Sequence, residues 1–369
     1  MHQAPTQPTT TRTRLAYLDN LKVLLVTGII LGHAIITYAD VGSWAYREPS
    51  QHQLFNLVAT TVVALGSLFA MGLFFLISGL LTPGPVARKG PGAFLRDRAL
   101  RLGAPFLAYL MFFPALAWLG AHGQQPIGWF YAQQRSYWDP GPLWFVAVLF
   151  MFSAAYVGWR SVRPRPAGAS PMPRGVLPIA VAAITIGSIL VRVRFPIDSY
   201  QLFAAHVWQW PQCITLFVLG IAAAERGWLN PIPVRLRRAG GRLALGGIAI
   251  VLVAMGTASD LDPFTGGLSW QAALTAACEG MIAVGLSLWL PGTFQHHFNT
   301  TGRLGSALGR AAFGAYVIQA PILVTISLLA RDLPVAPEVK FFLVAPAAIT
   351  ASFGIAWLLT RAPGLRRVL

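Results

Sequence analysis

Charge is what this sequence has least of. Acidic and basic side chains together make up 11% of its 369 residues, against about 25% in an average soluble domain. A chain this poor in charge cannot cover an ordinary soluble enzyme, and it suits neither a disordered protein nor a coiled coil. Cysteine is nearly absent too. Cys213 and Cys278 both fall in apolar segments, which speaks against a disulfide framework. Alternating strand patterns are missing, which disfavours an outer-membrane barrel. A cleavable leader is not expected either: the first 14 residues are polar and rich in Thr and Pro, and the apolar run after them lacks a small-residue cleavage pattern.

What is present in excess is apolar surface. Hydrophobic residues make up 55% of the chain and the mean hydropathy is +0.59. A bilayer core needs roughly 17–25 mostly apolar residues per helix. Runs of that kind occur at 20–38, 56–81, 102–120, 143–160, 176–193, 206–224, 242–258, 270–290, 310–330 and 339–360. The expectation is an all-α, polytopic integral membrane protein with about ten transmembrane helices.

The linkers test that division. With 28 basic and 12 acidic residues the formal net charge is +16, and the basic residues alternate from linker to linker. One set of linkers holds only Arg47, Arg135, Arg192, Arg194, Arg331 and Lys340, together with most of the acids. Every other basic residue lies on the opposite set or at the termini. The positive-inside rule then puts both termini in the cytoplasm. A wrong span count would scramble the alternation. The basic excess is therefore a topological signal and not a mark of nucleic acid binding.

The organisation that follows is a disordered cytoplasmic N-terminus over 1–14, a single transmembrane domain over 15–360 and a basic cytoplasmic tail over 361–369. The stretch 161–174 is a Pro-rich cytoplasmic linker, and 82–101 is a basic loop with a short interfacial helix. No internal repeat is visible, which weighs against transporters built from duplicated halves. The setting is a multi-pass protein of the cell (inner) membrane with lipid as its surroundings. Its composition leaves the oligomeric state open.

Ionisable groups at membrane depth are costly and are functional candidates by default. The first span reads YLDNLKVLLVTGIILGHAI, with Asp19, Lys22 and His33 on one helix. Eleven positions at about 100° each bring His33 to within about 20° of Lys22 around the axis, some 16.5 Å further along. Asp19 lies on the same side, about 21 Å below His33, and is better placed to hold Lys22. On chemistry alone two readings stay open: Lys22 snorkels as an anchor and His33 bonds a neighbouring helix, or the two face a functional channel. Glu279, a third of the way into the eighth span, needs a partner or a water-filled cavity. Tyr316 and Gln319, three apart on the ninth span, line a cavity or glue helices. Trp144 at the outer interface, with Trp44, Trp129, Tyr131, Tyr137 and Trp138 on outer loops, suits sugar stacking as well as an aromatic belt. His296 and His297 lack further ligands nearby, so no metal site is expected.

Four motifs give the chain a resemblance. YLDNLK is followed by ten residues and then His33; LFFLISGLL closes the second span with Ser78 and Gly79; FLRDRALRLGAPF carries Arg98 and Arg101 as an R-x-x-R pair; and GPLWFVAVLF opens the fourth span with Trp144. A weaker echo is AAFGAYVIQAP in the ninth span. In this order and spacing they resemble the family-3 membrane acyltransferases, most closely the branch that succinylates osmoregulated periplasmic glucans. Two departures stand out. Gln319 occupies a place where members often carry a His, and no hydrolase-like domain is fused, so the chain is expected to act as a bare membrane unit.

The resemblance implies O-acylation: an acyl group moves from a cytoplasmic acyl-CoA, acetyl-CoA or succinyl-CoA, to a hydroxyl of an envelope glycan or other small acceptor. The donor is a co-substrate, and no permanently bound cofactor is implied. Lys22, Arg98 and Arg101 grip the donor, whose nucleotide end is polyanionic and suits Arg forks and a Lys point charge. His33 acts as general base, with Asp19 in the same catalytic group through its hold on Lys22. Trp144, Glu279, Tyr316 and Gln319 are the expected acceptor contacts. The rival is a proton-coupled transporter or flippase that uses His33, Glu279 and Asp19 without covalent chemistry. A third reading is an inert sensor that keeps the donor pocket.

Overall fold

A computed structural model describes residues 15–120, 128, 140–166, 168–199 and 205–365. The expectations for residues 1–14, for Trp129, Tyr131, Tyr137 and Trp138, and for the last four residues of the tail lie outside the described residues. Among the described residues all regular structure is helical. Thirteen α-helices occur: α1 Ala16–Tyr38, α2 Gln53–Ser67, α3 Ala70–Leu81, α4 Pro83–Lys89, α5 Pro91–Arg98, α6 Ala104–Gly120, α7 Trp144–Val162, α8 Val176–Arg192, α9 Trp210–Arg226, α10 Val234–Gly256, α11 Trp270–His297, α12 Arg303–Ala330 and α13 Pro337–Leu359.

Each of the ten apolar stretches is helical, and among the described residues eight helical segments are long and apolar enough to cross a membrane. The helices α6 and α8, at 17 residues each, fall below that length. Several helices outrun their apolar runs. The helix α10 starts at Val234 and so carries Arg235, Arg237, Arg238 and Arg242 within its first turns. A backbone leaving an apolar medium keeps its internal hydrogen bonds until water can replace them.

The second stretch departs from a single span. It is two helices, α2 and α3, interrupted at Leu68 and Phe69, where Phe69 has φ −145° and ψ −30°. The break follows a Gly66–Ser67 pair, a composition that favours kinks. It leaves the Ser67 carbonyl oxygen to accept from Gln212 Nε2 at 3.1 Å, so the freed backbone group is satisfied from α9.

The basic loop likewise holds two short helices. Both α4 and α5 begin with Pro, a residue suited to the first helical turn. Between them Gly90 adopts φ 80°, a left-handed angle that a side chain would strain. The helix then runs from α5 into α6 through a π-turn at Ala99–Gly103 that carries Arg101.

The bundle is organised around α1, which packs against α2, α3, α11, α12 and α13. The pairs α3–α9, α10–α11, α12–α13 and α8–α11 form the other main contacts. One apolar core gathers Phe75, Phe145, Phe152, Phe217 and Tyr316, and a second gathers Leu18, Leu21, Leu76, Ile184 and Leu288. The α3–α9 crossing has no room for a side chain. A Cβ on Gly79 would lie 2.3 Å from the Phe217 carbonyl oxygen, and one on Gly220 would lie 2.3 Å from that of Leu76. Small residues at such a crossing let backbones approach closely, the usual way helices gain packing in lipid.

Candidate active site

The YLDNLK motif distributes its polar residues over separate tasks. Asn20 donates through Nδ2 to the carbonyl oxygens of Phe298 and Thr300, at 2.8 and 3.1 Å, and so ties the start of α1 to the α11–α12 turn. Lys22 Nζ lies 3.4 Å from Asp19 Oδ1. The i, i+3 spacing places them on one face.

Lys22 also looks into a cavity of about 680 Å³. Its walls come from α1, α3, α4, α5, the π-turn, α7 and α12, and they bring Lys22, Arg98 and Arg101 together with Arg88 and Lys89. Asp97 is the one acid among the lining residues, and it pairs with Lys89. Cations thus exceed acids at this mouth, a balance that suits a polyanion. Arg98 is half-buried. It donates to Thr82 Oγ1 at 3.2 Å, and Thr82 in turn donates to the Ser78 carbonyl at 2.7 Å. Burial, with Arg101 close by, pulls the Arg98 guanidinium down to about 10, since the charged form is disfavoured where water is excluded and a like charge is near.

Away from the charged mouth the cavity turns apolar, with Met71, Phe74, Ile77, Phe145 and Leu149. Phe145 and Tyr316 both line it and meet edge to face at 5.9 Å and 79°. The Tyr316 hydroxyl donates to the Pro142 carbonyl oxygen. His33 is not among the lining residues. It sits beyond this aromatic pair, with Nδ1 3.1 Å from Oε1 of fully buried Gln319. Tyr316 and Gln319, three apart on α12, are about 4.5 Å apart along the axis. His33 therefore meets α12 about one helical turn beyond Tyr316, and on α1 it lies seven residues beyond Val26, which lines the cavity.

Two residues that sequence reading did not bring to this place complete the surroundings. Trp44 reaches back from the α1–α2 loop and stacks on His33, with ring centroids 4.3 Å apart and planes at 15°. The loop that carries it is strapped to α13: buried Lys340 lies 2.6 Å from Glu48, and Ser50 donates to Glu338 at 2.6 Å. His206, just ahead of α9, meets the Trp144 ring at 5.1 Å, two residues after the Pro142 carbonyl that holds Tyr316. Its left-handed backbone follows no motif visible in the chain, so only the three-dimensional arrangement singles it out.

Glu279 stands apart. It is fully buried, is paired with Arg192 at 2.6 Å and accepts from Gln212 Nε2 at 2.9 Å. The structure places it between α8, α9 and α11, outside the lining of the cavity. Cys213 and Cys278 are free and buried, while His296 and His297 stack on each other at an exposed helix end. No cluster of three metal-ligating side chains occurs among the described residues.

The domain model of acyltransferase family 3, described as an acyltransferase domain, matches residues 15–361. No curated protein and no solved structure matches the chain.

Proposed function

The chain belongs to acyltransferase family 3, whose domain spans it almost end to end, and with its apolar helices it is a multi-pass membrane acyltransferase; from this we propose that it is an O-acyltransferase of the inner membrane. The acyl group moves from a cytoplasmic acyl-CoA, acetyl-CoA or succinyl-CoA, to a hydroxyl of a glycan or small acceptor. Ten spans with both termini cytoplasmic fit the charge alternation, and they place the cationic mouth on the side where acyl-CoA is found.

One observation carries the reading: Lys22, Arg98 and Arg101, spread over two separate parts of the chain, line a single cavity. That cavity is walled by Phe145 and Tyr316, and Tyr316 lies one helical turn along α12 from Gln319, the partner of His33. Phosphates of the donor fit the Arg forks and the Lys point charge. The apolar stretch suits the thin arm that carries the thioester. With Gln319 Oε1 accepting from Nδ1, the lone pair of His33 lies on Nε2, ready to act as a base.

The step balances without a further reactant. His33 takes the proton of the acceptor hydroxyl as its oxygen attacks the thioester carbonyl. The carbon–sulfur bond breaks, the electron pair leaves on sulfur, and the imidazolium returns its proton to the thiolate. The products are an ester and free CoA thiol.

Protein in nanodiscs, supplied with acetyl-CoA or succinyl-CoA and an envelope glycan extract, should release CoA thiol and yield an acceptor whose mass has grown by the acyl group. H33A should abolish transfer and keep donor binding. R98A with R101A should weaken donor affinity by roughly tenfold or more, since each charge-assisted contact contributes about 1.5–3 kcal/mol. Proton-coupled solute flux with no new ester would instead favour transport.

A further inference from the structure

Around His33 the structure holds buried polar groups that no protein atom satisfies. The indole N–H of Trp44 and the side-chain amide nitrogen of Gln319 are both buried without a hydrogen-bond partner, although each residue touches His33 through another of its groups. Buried donors are nearly always paired in proteins, so unpaired ones side by side call for an explanation. An oxygen-rich ligand supplies one.

His206 approaches the same place from the start of α9: its ring meets that of Trp144, two residues after the Pro142 carbonyl that holds Tyr316, one helical turn from Gln319. Its backbone is left-handed, at φ 44° and ψ 49°, a conformation that residues with side chains seldom adopt outside turns and functional sites. The backbone on both sides is pinned. The Trp210 indole donates to the Ala205 carbonyl at 2.9 Å, and Gln209 N–H donates to the His206 carbonyl at 2.8 Å. Trp208 lies under the Arg192 guanidinium, 5.5 Å from its ring centroid, and Arg192 is locked by Glu279. All this rigidity presents an imidazole that makes no hydrogen bond among the described residues. Indoles flank the pair of imidazoles, Trp44 on His33 and Trp144 against His206.

We propose that the acceptor binds between His33 and His206, and that His206 hydrogen-bonds a second hydroxyl of the same acceptor molecule while His33 takes the proton of the reacting one. The ligand class is a carbohydrate: neighbouring hydroxyls meet the imidazoles and the unpaired donors, and its apolar ring face meets an indole. The assignment rests on the acyl-transfer reading and adds the acceptor side to it. It also gives the buried Arg192–Glu279 pair a task, that of fixing the Trp208 turn that carries His206.

The test uses full-length protein in nanodiscs, acetyl-CoA as donor, and maltotetraose and glycerol as acceptor probes. H206G suits the left-handed backbone, so its thermal midpoint and acetyl-CoA affinity should match the wild type. Its KM for maltotetraose should rise about tenfold or more, with a smaller change for glycerol, and H206N, which tolerates the same backbone, should recover part of the loss. The proposal is overturned if H206G keeps the wild-type KM for the sugar, if its midpoint and donor affinity fall together with transfer, or if the wild type acylates glycerol and never the sugar. A wild type that binds acetyl-CoA and acylates neither probe removes the parent reading and this one with it.

Discussion

At the scale of single residues, the geometry gives Gln319 a task beyond filling space. It orients the imidazole of His33 through Nδ1, which is work a glutamine can do although it cannot accept a proton. Q319L should leave that ring nitrogen without a partner in a buried setting, at a cost of about 1–3 kcal/mol. Steady-state assays should show transfer slowed roughly tenfold to a hundredfold with donor affinity unchanged. Unchanged turnover would mean that the contact is mere packing. The common face of Lys22 and His33 was legible in the sequence because both belong to one helix, where angular position follows from residue count, but only Lys22 lines the cavity. Trp44 and His206 were not legible, since each reaches the site from a loop whose path depends on contacts made hundreds of positions away, such as Lys340 with Glu48.

At the scale of helices, the LFFLISGLL motif divides into two parts. Ser78 looks into the cavity, whereas Gly79 serves the crossing of α3 with α9. G79A should overpack that crossing by about 1–3 kcal/mol and lower the thermal midpoint in detergent, and G220A should do the same. A midpoint equal to that of the wild type would show that the helices can move apart freely. The Arg192–Glu279 pair behaves differently. Removing one partner strands a buried charge, so E279L should cost about 3–5 kcal/mol, while R192L with E279L together should recover much of it. A double variant as unstable as the single one would point to the network and not the pair. Sequence position assigned Arg192 to an outer linker and gave Glu279 either a partner or a water-filled cavity, without naming the partner. Neither assignment foresaw the pair, because residues 87 positions apart become neighbours only once α8 and α11 pack. The α2–α3 break escaped notice for a similar reason: the run 56–81 carries no charged residue, and hydropathy does not register where a helix restarts.

At the scale of the whole molecule, helix class and the order of apolar segments were the most legible features, because a bilayer forces long apolar runs to become helices. Orientation follows from charge, and it can be checked directly. Single cysteines placed at 12 and 365 in a variant lacking Cys213 and Cys278 should react with a membrane-impermeant maleimide only after spheroplasts are opened. Labelling of either site in intact spheroplasts would reverse the proposed topology.

The aromatic pair of Phe145 and Tyr316 has an effect on the bilayer itself. A passage that joined the two sides without interruption would leak protons and run down the membrane potential each time it stood empty. On the proposed reaction, two rings packed edge to face, one of them tied to the Pro142 carbonyl, would stand between the cationic cavity and His33 as a gate that the donor's thioester must part. Such a gate would let the proposed donor and acceptor approach from opposite compartments while the membrane stays electrically tight.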